Sequence, residues 1–409
     1  MKSNNNAKWT ILILGGLTNA LVAALPGMSL SVLLPVISEE LNLTIVQTGL
    51  AWGIAALPSI LAFIPAGLAI DRFGPRRVFI AACILAGLAG AARGLSVNFI
   101  TLILAIAISG LFSPFIPLSS VKNTRLWFEP HQIGLANGVL SLGMALGFFT
   151  GAMISANFVA PAVGGWRNTF FLYGLVAAAF AIPWYFVKSS PPKEISLDRP
   201  AMDAPKGNGI RHVARIGNIW LLGLALFCFS GAIQGFLGYV PLYLRGLGWD
   251  PLQSDSLAAT FHLASLTFTI PITLLSDRLR SRKWIAVAAV ILASLGILMF
   301  FFLEGRILWA AIITAGLARD GIMAILITIA LETKGVGSIH SGVATAFIMI
   351  LSGIGALIAP PVGNLLAENG LRSPFLFWGL LCLAGAALLT LLKKNQLGRS
   401  HKIPRPEIR

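Results

Sequence analysis

Long apolar stretches alternate along this chain with short polar ones rich in Gly, Pro and charge, and twelve of the apolar stretches are long enough to cross a bilayer. Hydropathy and this punctuation predict helices over about 9–35, 46–70, 76–95, 99–121, 133–157, 168–187, 217–241, 252–276, 284–303, 307–331, 341–367 and 374–392. The segments are continuously apolar and do not alternate over ten residues as barrel strands do, so the expected elements are helices. The first stretch runs from Trp9 to about Leu34, too long for the core of a signal peptide, and is read as a retained membrane helix.

Composition strengthens this picture. With 56% hydrophobic and 11% charged residues over 409 positions, the chain is far from soluble usage, where roughly a quarter of residues are charged. The net charge of +15 would suggest a nucleic-acid partner in a soluble protein. Here the distribution gives it another meaning. Of the 30 Lys and Arg residues, 24 fall on one side of the predicted helix list; the other side holds Arg93, Arg167, Arg245, Arg306 and Arg372, and Arg319 lies inside a helix. By the positive-inside rule this asymmetry predicts a multi-pass protein of a bacterial-type plasma or inner membrane with both termini in the cytoplasm. Cys83, Cys228 and Cys382 lie within apolar runs at no metal-binding spacing, so neither a disulfide nor a metal site follows, and no cofactor is expected.

The stretch 189–216 carries prolines and mixed charge and reads as a cytoplasmic linker between a six-helix half at 1–188 and another at 217–393, with a cytoplasmic tail at 394–409. The halves resemble each other. The segment from Gly165 to Gly174 matches that from Gly370 to Gly379 at four of ten positions, and Asp71 to Arg77 parallels Asp277 to Lys283. The offsets, 205 and 206, are nearly equal, which indicates duplication of a six-helix unit. The expected fold is an all-α integral membrane protein of twelve helices in two pseudo-symmetric halves.

The loop after the second helix reads Gly67-Leu-Ala-Ile-Asp-Arg-Phe-Gly-Pro-Arg-Arg77. It resembles the cytoplasmic signature loop of the major facilitator superfamily, and the twelve helices, the duplication, the degenerate repeat near Asp277 and Arg278, and the Gly-Trp-Arg at 165–167 extend the resemblance over the chain. Independently of the family, Gly67 and Gly74 suit close helix approach and a tight turn. Asp71 can meet the positive N-terminus of a helix that starts on the same side, for which the eleventh helix near Ser341 is the candidate, with Asp277 mirroring it against the fifth. Together with Arg72, Arg76, Arg77 and Arg278, these residues are expected to latch the halves when the cavity faces outward. Gly138, Gly143, Gly147 and Gly151 on the fifth helix, and their counterparts on the eleventh, read as packing surfaces that could also permit sliding. Many drug/proton antiporters of the family carry a proline in this fifth-helix motif. Here Phe148 and Phe149 follow Gly147, which counts against drug efflux.

Arg319 and Asp320 sit near the middle of the tenth helix, with apolar sequence on both sides. A central charge costs about 2.5–3.5 kcal/mol on insertion scales, so it belongs beside a cavity or a partner. The guanidinium fork of Arg319 suits a carboxylate or other oxyanion, whereas Asp320 could pair with Arg319 or carry a proton. His262, mid-way along the eighth helix, is a second candidate for proton exchange or substrate contact. Asn19 and Gln234, in the first and seventh helices, are candidate polar lining groups in helices that face the cavity in the family; helix–helix hydrogen bonding is the competing role. Pro26-Gly27, Pro114, Pro117 and Pro360-Pro361 are expected to bend or break their helices. Lys122 is expected to snorkel to the interface.

These residues point to secondary active transport of a small solute by alternating access, most readily a small organic anion such as a carboxylate taken up with protons. Proton-coupled export of drug-like or amphiphilic compounds is the alternative. An enzyme would need paired carboxylates, a nucleophile with its base or a metal cluster, and the sequence offers none of these; a phosphate-binding Gly-x-x-x-x-Gly-Lys loop is also missing. The expected partners are a small anionic solute, protons and membrane lipid, with no nucleic acid, and a monomer suffices.

Overall fold

The computed structural model describes residues 2–187, 209–279, 281–317 and 319–393, so most of the linker and nearly all of the tail lie outside the described residues. The described chain forms twelve long helices: α1 (Ala7–Glu40), α2 (Ile45–Phe73), α3 (Pro75–Leu95), α4 (Phe99–Trp127), α5 (Ile133–Val163), α6 (Trp166–Phe186), α7 (Gly217–Gly246), α8 (Pro251–Leu279), α9 (Arg282–Phe302), α10 (Gly305–Glu332), α11 (His340–Asn369) and α12 (Ser373–Thr390). Eleven are long and apolar enough to span a bilayer, and α8, at 29 residues, takes the remaining place in the series. There is no strand among the described residues. All three cysteines are buried and unpaired.

Local chemistry sets the helix ends. Thr44 and Gln47 form reciprocal side-chain caps at the start of α2, and Asn98 and Thr101 do the same for α4. Between α2 and α3 the chain reverses at Gly74, whose φ of +81° suits glycine, and Pro75 opens α3 where no N–H is needed. Prolines account for the irregular turns. Ahead of Pro26, α1 widens into a π-helical turn over Asn19–Ala24, in which Leu25 N–H bonds Ala20 O; the same widening over Ser155–Val159 precedes Pro161 in α5. α4 is interrupted between Phe112 and Phe115, at Pro114. The expected break at Pro360-Pro361 does not occur, because α11 runs through both prolines.

Glycines bring backbones together inside each half. A Cβ at Gly143, Gly147 or Gly151 would stand 2.3, 2.4 and 2.6 Å from the carbonyl oxygens of Gly16, Ala20 and Leu25, so α5 lies directly on α1. In the second half a Cβ at Gly355 of α11 would likewise stand 2.1 Å from Phe227 O of α7. The α5 stripe therefore fastens one half internally and does not form a sliding surface between halves.

The halves touch on the side away from the termini. There Ser31 Oγ donates to Leu237 O at 2.8 Å, Asn364 Nδ2 to Ile45 O at 2.9 Å, and Asn157 Nδ2 to Asp255 Oδ2 at 2.8 Å. Trp52 Nε1 reaches Gln234 O at 2.6 Å, its ring pressed against Gly238.

Candidate functional site

Beneath this closed side lies a cavity of about 230 Å3 walled by both halves. α1, α3, α4 and α6 supply most of its first-half wall, and Gln234, Leu237, His262 and Arg319 supply the second-half face. The lining is mainly apolar, with a few polar groups converging on it, as in small-molecule sites generally.

Arg319 is held by its neighbour on α10 and by a ring of α5. Its Nη1 donates to Asp320 Oδ1 at 2.9 Å, and its guanidinium lies over the Phe148 ring of α5 at 5.5 Å. Asp320 in turn accepts from Ser265 Oγ of α8 at 2.8 Å. The His262 ring stacks on Phe148 at 5.1 Å, and its Nε2 is buried without a hydrogen-bond partner. Phe148 is thus a first-half platform for two polar groups of the second half. The Arg319 and Asp320 side chains remain 29% and 39% exposed, and Arg319 borders the cavity. The pair opens the second helical segment of α10, Arg319–Glu332, with Asp320 in its first turn.

The other sequence-predicted residues divide. Gln234 reaches the cavity wall. Asn19 does not: it is buried in the α1 packing, where its Oδ1 accepts from Ser120 Oγ at 2.9 Å, and nothing of it faces the cavity. Asp71 pairs with Lys122 at 2.9 Å inside the first half, not with the start of α11, and both side chains are exposed. Lys122 therefore has a partner and does not merely snorkel. Gly67 adjoins open space, so no helix approaches it in this conformation. Arg72 stacks on Phe73, and Arg76 bonds the carbonyls of Trp184, at 3.1 Å, and of Tyr185, tying the loop to α6. Arg77 is exposed. The side chains of Asp277 and Arg278 lie outside the described residues. The Gly-Trp-Arg segment is structural: Trp166 Nε1 donates to Glu40 Oε2 at 2.5 Å, and Arg167 pairs with Glu40 and bonds Ser96 O at 2.9 Å.

Two features escaped the sequence reading. Arg93, taken for an arginine of the far-side loop, turns inward from the end of α3, is 7% exposed and lines the same cavity as Arg319. The clue was the run of small residues before it, Ala89 to Ala92, which leaves space on the helix. The second is Asp255. It is fully buried and bound by Arg245 Nη2 at 2.9 and 2.8 Å as well as by Asn157. In sequence it passes for an ordinary acidic residue near a helix start. Among the described residues no cluster of His, Cys, Asp and Glu could hold a metal.

The family model of the Major Facilitator Superfamily matches residues 15–339 and 247–408. Relatives include a probable sulfoacetate transporter of Cupriavidus necator, 25% identical over 296 residues that make up 68% of each chain. A hexuronate transporter of Bacillus subtilis is 25% identical over 59% of this chain and 58% of its own. A probable nitrate/nitrite transporter of Mycobacterium tuberculosis is 26% identical over 63% of this chain and 62% of its own. The chain thus spans about three fifths to two thirds of the length of these relatives. In fold it is similar to a bacterial homologue of the human lysosomal transporter Spinster in an inward-facing, occupied conformation, with TM-score 0.75, 16% identity and coverage of 94% of this chain and 95% of that one. It is likewise similar to the nucleoside transporter NupG, with TM-score 0.76, 13% identity and coverage of 95% and 100%. Matches over both halves, transporters among the relatives and a duplicated twelve-helix bundle around a central cavity agree with one another, and the chain belongs to the Major Facilitator Superfamily, a membership that points to a transporter and not an enzyme.

Proposed function

We propose that this protein is a secondary transporter of a small organic anion, anchored in the central cavity by Arg319 and taken up with protons by alternating access. The observation that carries the reading is a guanidinium at membrane depth on the wall of a cavity of about 230 Å3. An arriving carboxylate meets a planar fork of donors there, in a setting with little competing water. The similarity to transporters named for sulfoacetate, hexuronate, nitrate and galactonate supports an anionic substrate. Export of lipophilic cations fits poorly, because two guanidinium groups line the cavity and would repel them.

Asp320 supplies a route for coupling. Ionised, it occupies Arg319 Nη1; protonated, it releases that donor to the substrate. The groups around it are Arg319 on its own helix, Ser265 and His262 on α8, and Phe148 across the boundary between the halves. By the split of 24 basic side chains on the side of the termini against five on the other, that side is cytoplasmic. The conformation closed on the far side is then an inward-facing one. The Asp71–Lys122 pair belongs to this state, and Asp71 exchanges Lys122 for the start of α11 when the carrier faces outward.

The test is thermal stabilisation of the purified protein by sulfoacetate, short carboxylates, nitrate and a lipophilic cation, since a ligand that binds only the folded state raises its stability. Stabilisation by anions that is absent in Arg319→Gln is expected. A response to the cation alone overturns the reading.

A further inference from the structure

We propose that Arg93 is a second anion-binding residue of the central cavity, and that the cavity takes an anion with two oxyanion groups a short carbon chain apart, one at Arg319 and the other at Arg93. This rests on the transport reading above and gives its substrate a class.

Arg93 has no counter-ion among the described residues. Its Nη1 donates to Pro26 O at 3.1 Å and its guanidinium faces the Phe170 ring at 5.1 Å, but neither contact neutralises the charge. Arg167, Arg245, Arg319 and Arg372 each have a carboxylate, from Glu40, Asp255, Asp320 and Glu304. Among the described residues none pairs with Arg93. Its Nε is also buried with no partner. A cation in this condition at 7% exposure is costly to keep unless something arrives to balance it.

The open direction is toward the cavity. Arg93 Nη2 lies against Gly90, where a Cβ would begin 3.7 Å away, and Gly90 and Arg93 both form the wall that continues to Arg319. The absence of a side chain at Gly90 keeps that donor approachable. A monoanion seated at Arg319 leaves Arg93 bare, whereas a second oxyanion reaches it.

The depth of the two sites suits a short linker. Gly147, beside Phe148, faces Ala20 and Ala24, and Gly151 faces Leu25. The Phe148 platform under Arg319 is therefore about one helical turn, roughly 5 Å, in depth from the Pro26 carbonyl that holds Arg93. Acid groups joined by a short carbon chain cover this offset in depth, and both guanidinium groups border the one cavity of about 230 Å3.

The experiment measures binding of malonate, succinate, a sulfocarboxylate, acetate and nitrate to the full-length chain and to its Arg93→Gln, Arg93→Lys and Arg319→Gln variants, with melting temperature reporting the fold. The native chain is expected to bind diacids at least about tenfold more tightly than acetate. Arg93→Gln should lose that preference while acetate binding stays within about threefold, and Arg93→Lys should recover part of it. Should Arg93→Gln fail to fold, Arg93→Lys is read by the same ratio. No diacid preference in the native chain overturns the proposal, as does an equal loss of mono- and diacids in a folded Arg93 variant. If Arg319→Gln loses anions while Arg93→Gln keeps its diacid preference, this inference alone falls. If neither variant affects anions, the transport reading falls with it.

Discussion

Asn157 of α5 donates to the carboxylate of Asp255 of α8 at 2.8 Å, across the boundary between the two halves. Asp255 is itself fully buried and held by Arg245 of α7. The carboxylate is thus bound from its own half by a charge and from the opposite half by an amide. Separating the halves on this side breaks the amide contact and leaves the ion pair intact, an arrangement suited to a reversible closure.

Asn157→Ala is therefore expected to loosen the far side without unfolding the protein. One hydrogen bond to a charged group contributes about 1.5–3 kcal/mol, enough to shift an opening equilibrium by tenfold or more. Labelling of a cysteine at Leu237 from the far side should accelerate accordingly. Asp255→Asn should behave differently, costing about 3–5 kcal/mol because it leaves the largely covered Arg245 without its counter-ion. A melting curve distinguishes the two.

Asp320→Asn removes the partner of Arg319 and should destabilise the chain, while the double variant Arg319→Gln/Asp320→Asn recovers part of the loss. If Asp320 carries the transported proton, uptake by the single variant no longer depends on an imposed pH gradient. Accumulation that still follows the gradient, measured in proteoliposomes, would remove Asp320 from the coupling.

Lys122→Gln frees Asp71 without touching the cavity. Since both side chains are exposed, stability should change by less than about 1 kcal/mol. The conformational effect should exceed the stability effect, with accessibility shifting toward the outward-facing state as Asp71 becomes available to α11. Asp71→Asn should shift accessibility the other way and slow transport. Equal accessibility in all three proteins, by cysteine labelling from each side, would dissociate the signature loop from gating.

Gly147→Val should prevent stable assembly of the first half, since its Cβ would meet Ala20 O at 2.4 Å, whereas Gly138→Ala should be tolerated, with nothing within 4 Å. Overpacking costs about 1–3 kcal/mol where neighbours can yield, and a backbone carbonyl yields little. Expression and melting temperature of the pair measure the contrast.

The linear chain determined a great deal here because a bilayer restricts the options. Backbone groups in hydrocarbon must bond within their own segment, so long apolar runs become helices, and the Lys and Arg count predicts their direction. The duplication was legible from two segments at nearly equal offsets, and Arg319, a charge among apolar neighbours, declared itself by its cost. Side-chain direction was not legible in the same way. Arg93 and Arg306 both read as far-side arginines near helix ends, and only the packing of α3 against α1 and α6 turned Arg93 into the cavity. Asn19 and Gln234 looked alike as polar residues at mid-depth, yet Ser120 of α4 takes up one while the other reaches the cavity wall. Asp71 sits in a recognisable loop, yet its partner, Lys122 of α4 in the same half, could not be read from that loop. Hydropathy is a property of each segment by itself. Who meets whom in the centre depends on how the helices are rotated and tilted, and that is decided by contacts among residues far apart in the chain, such as Arg93 with Pro26 and Phe148 with Arg319.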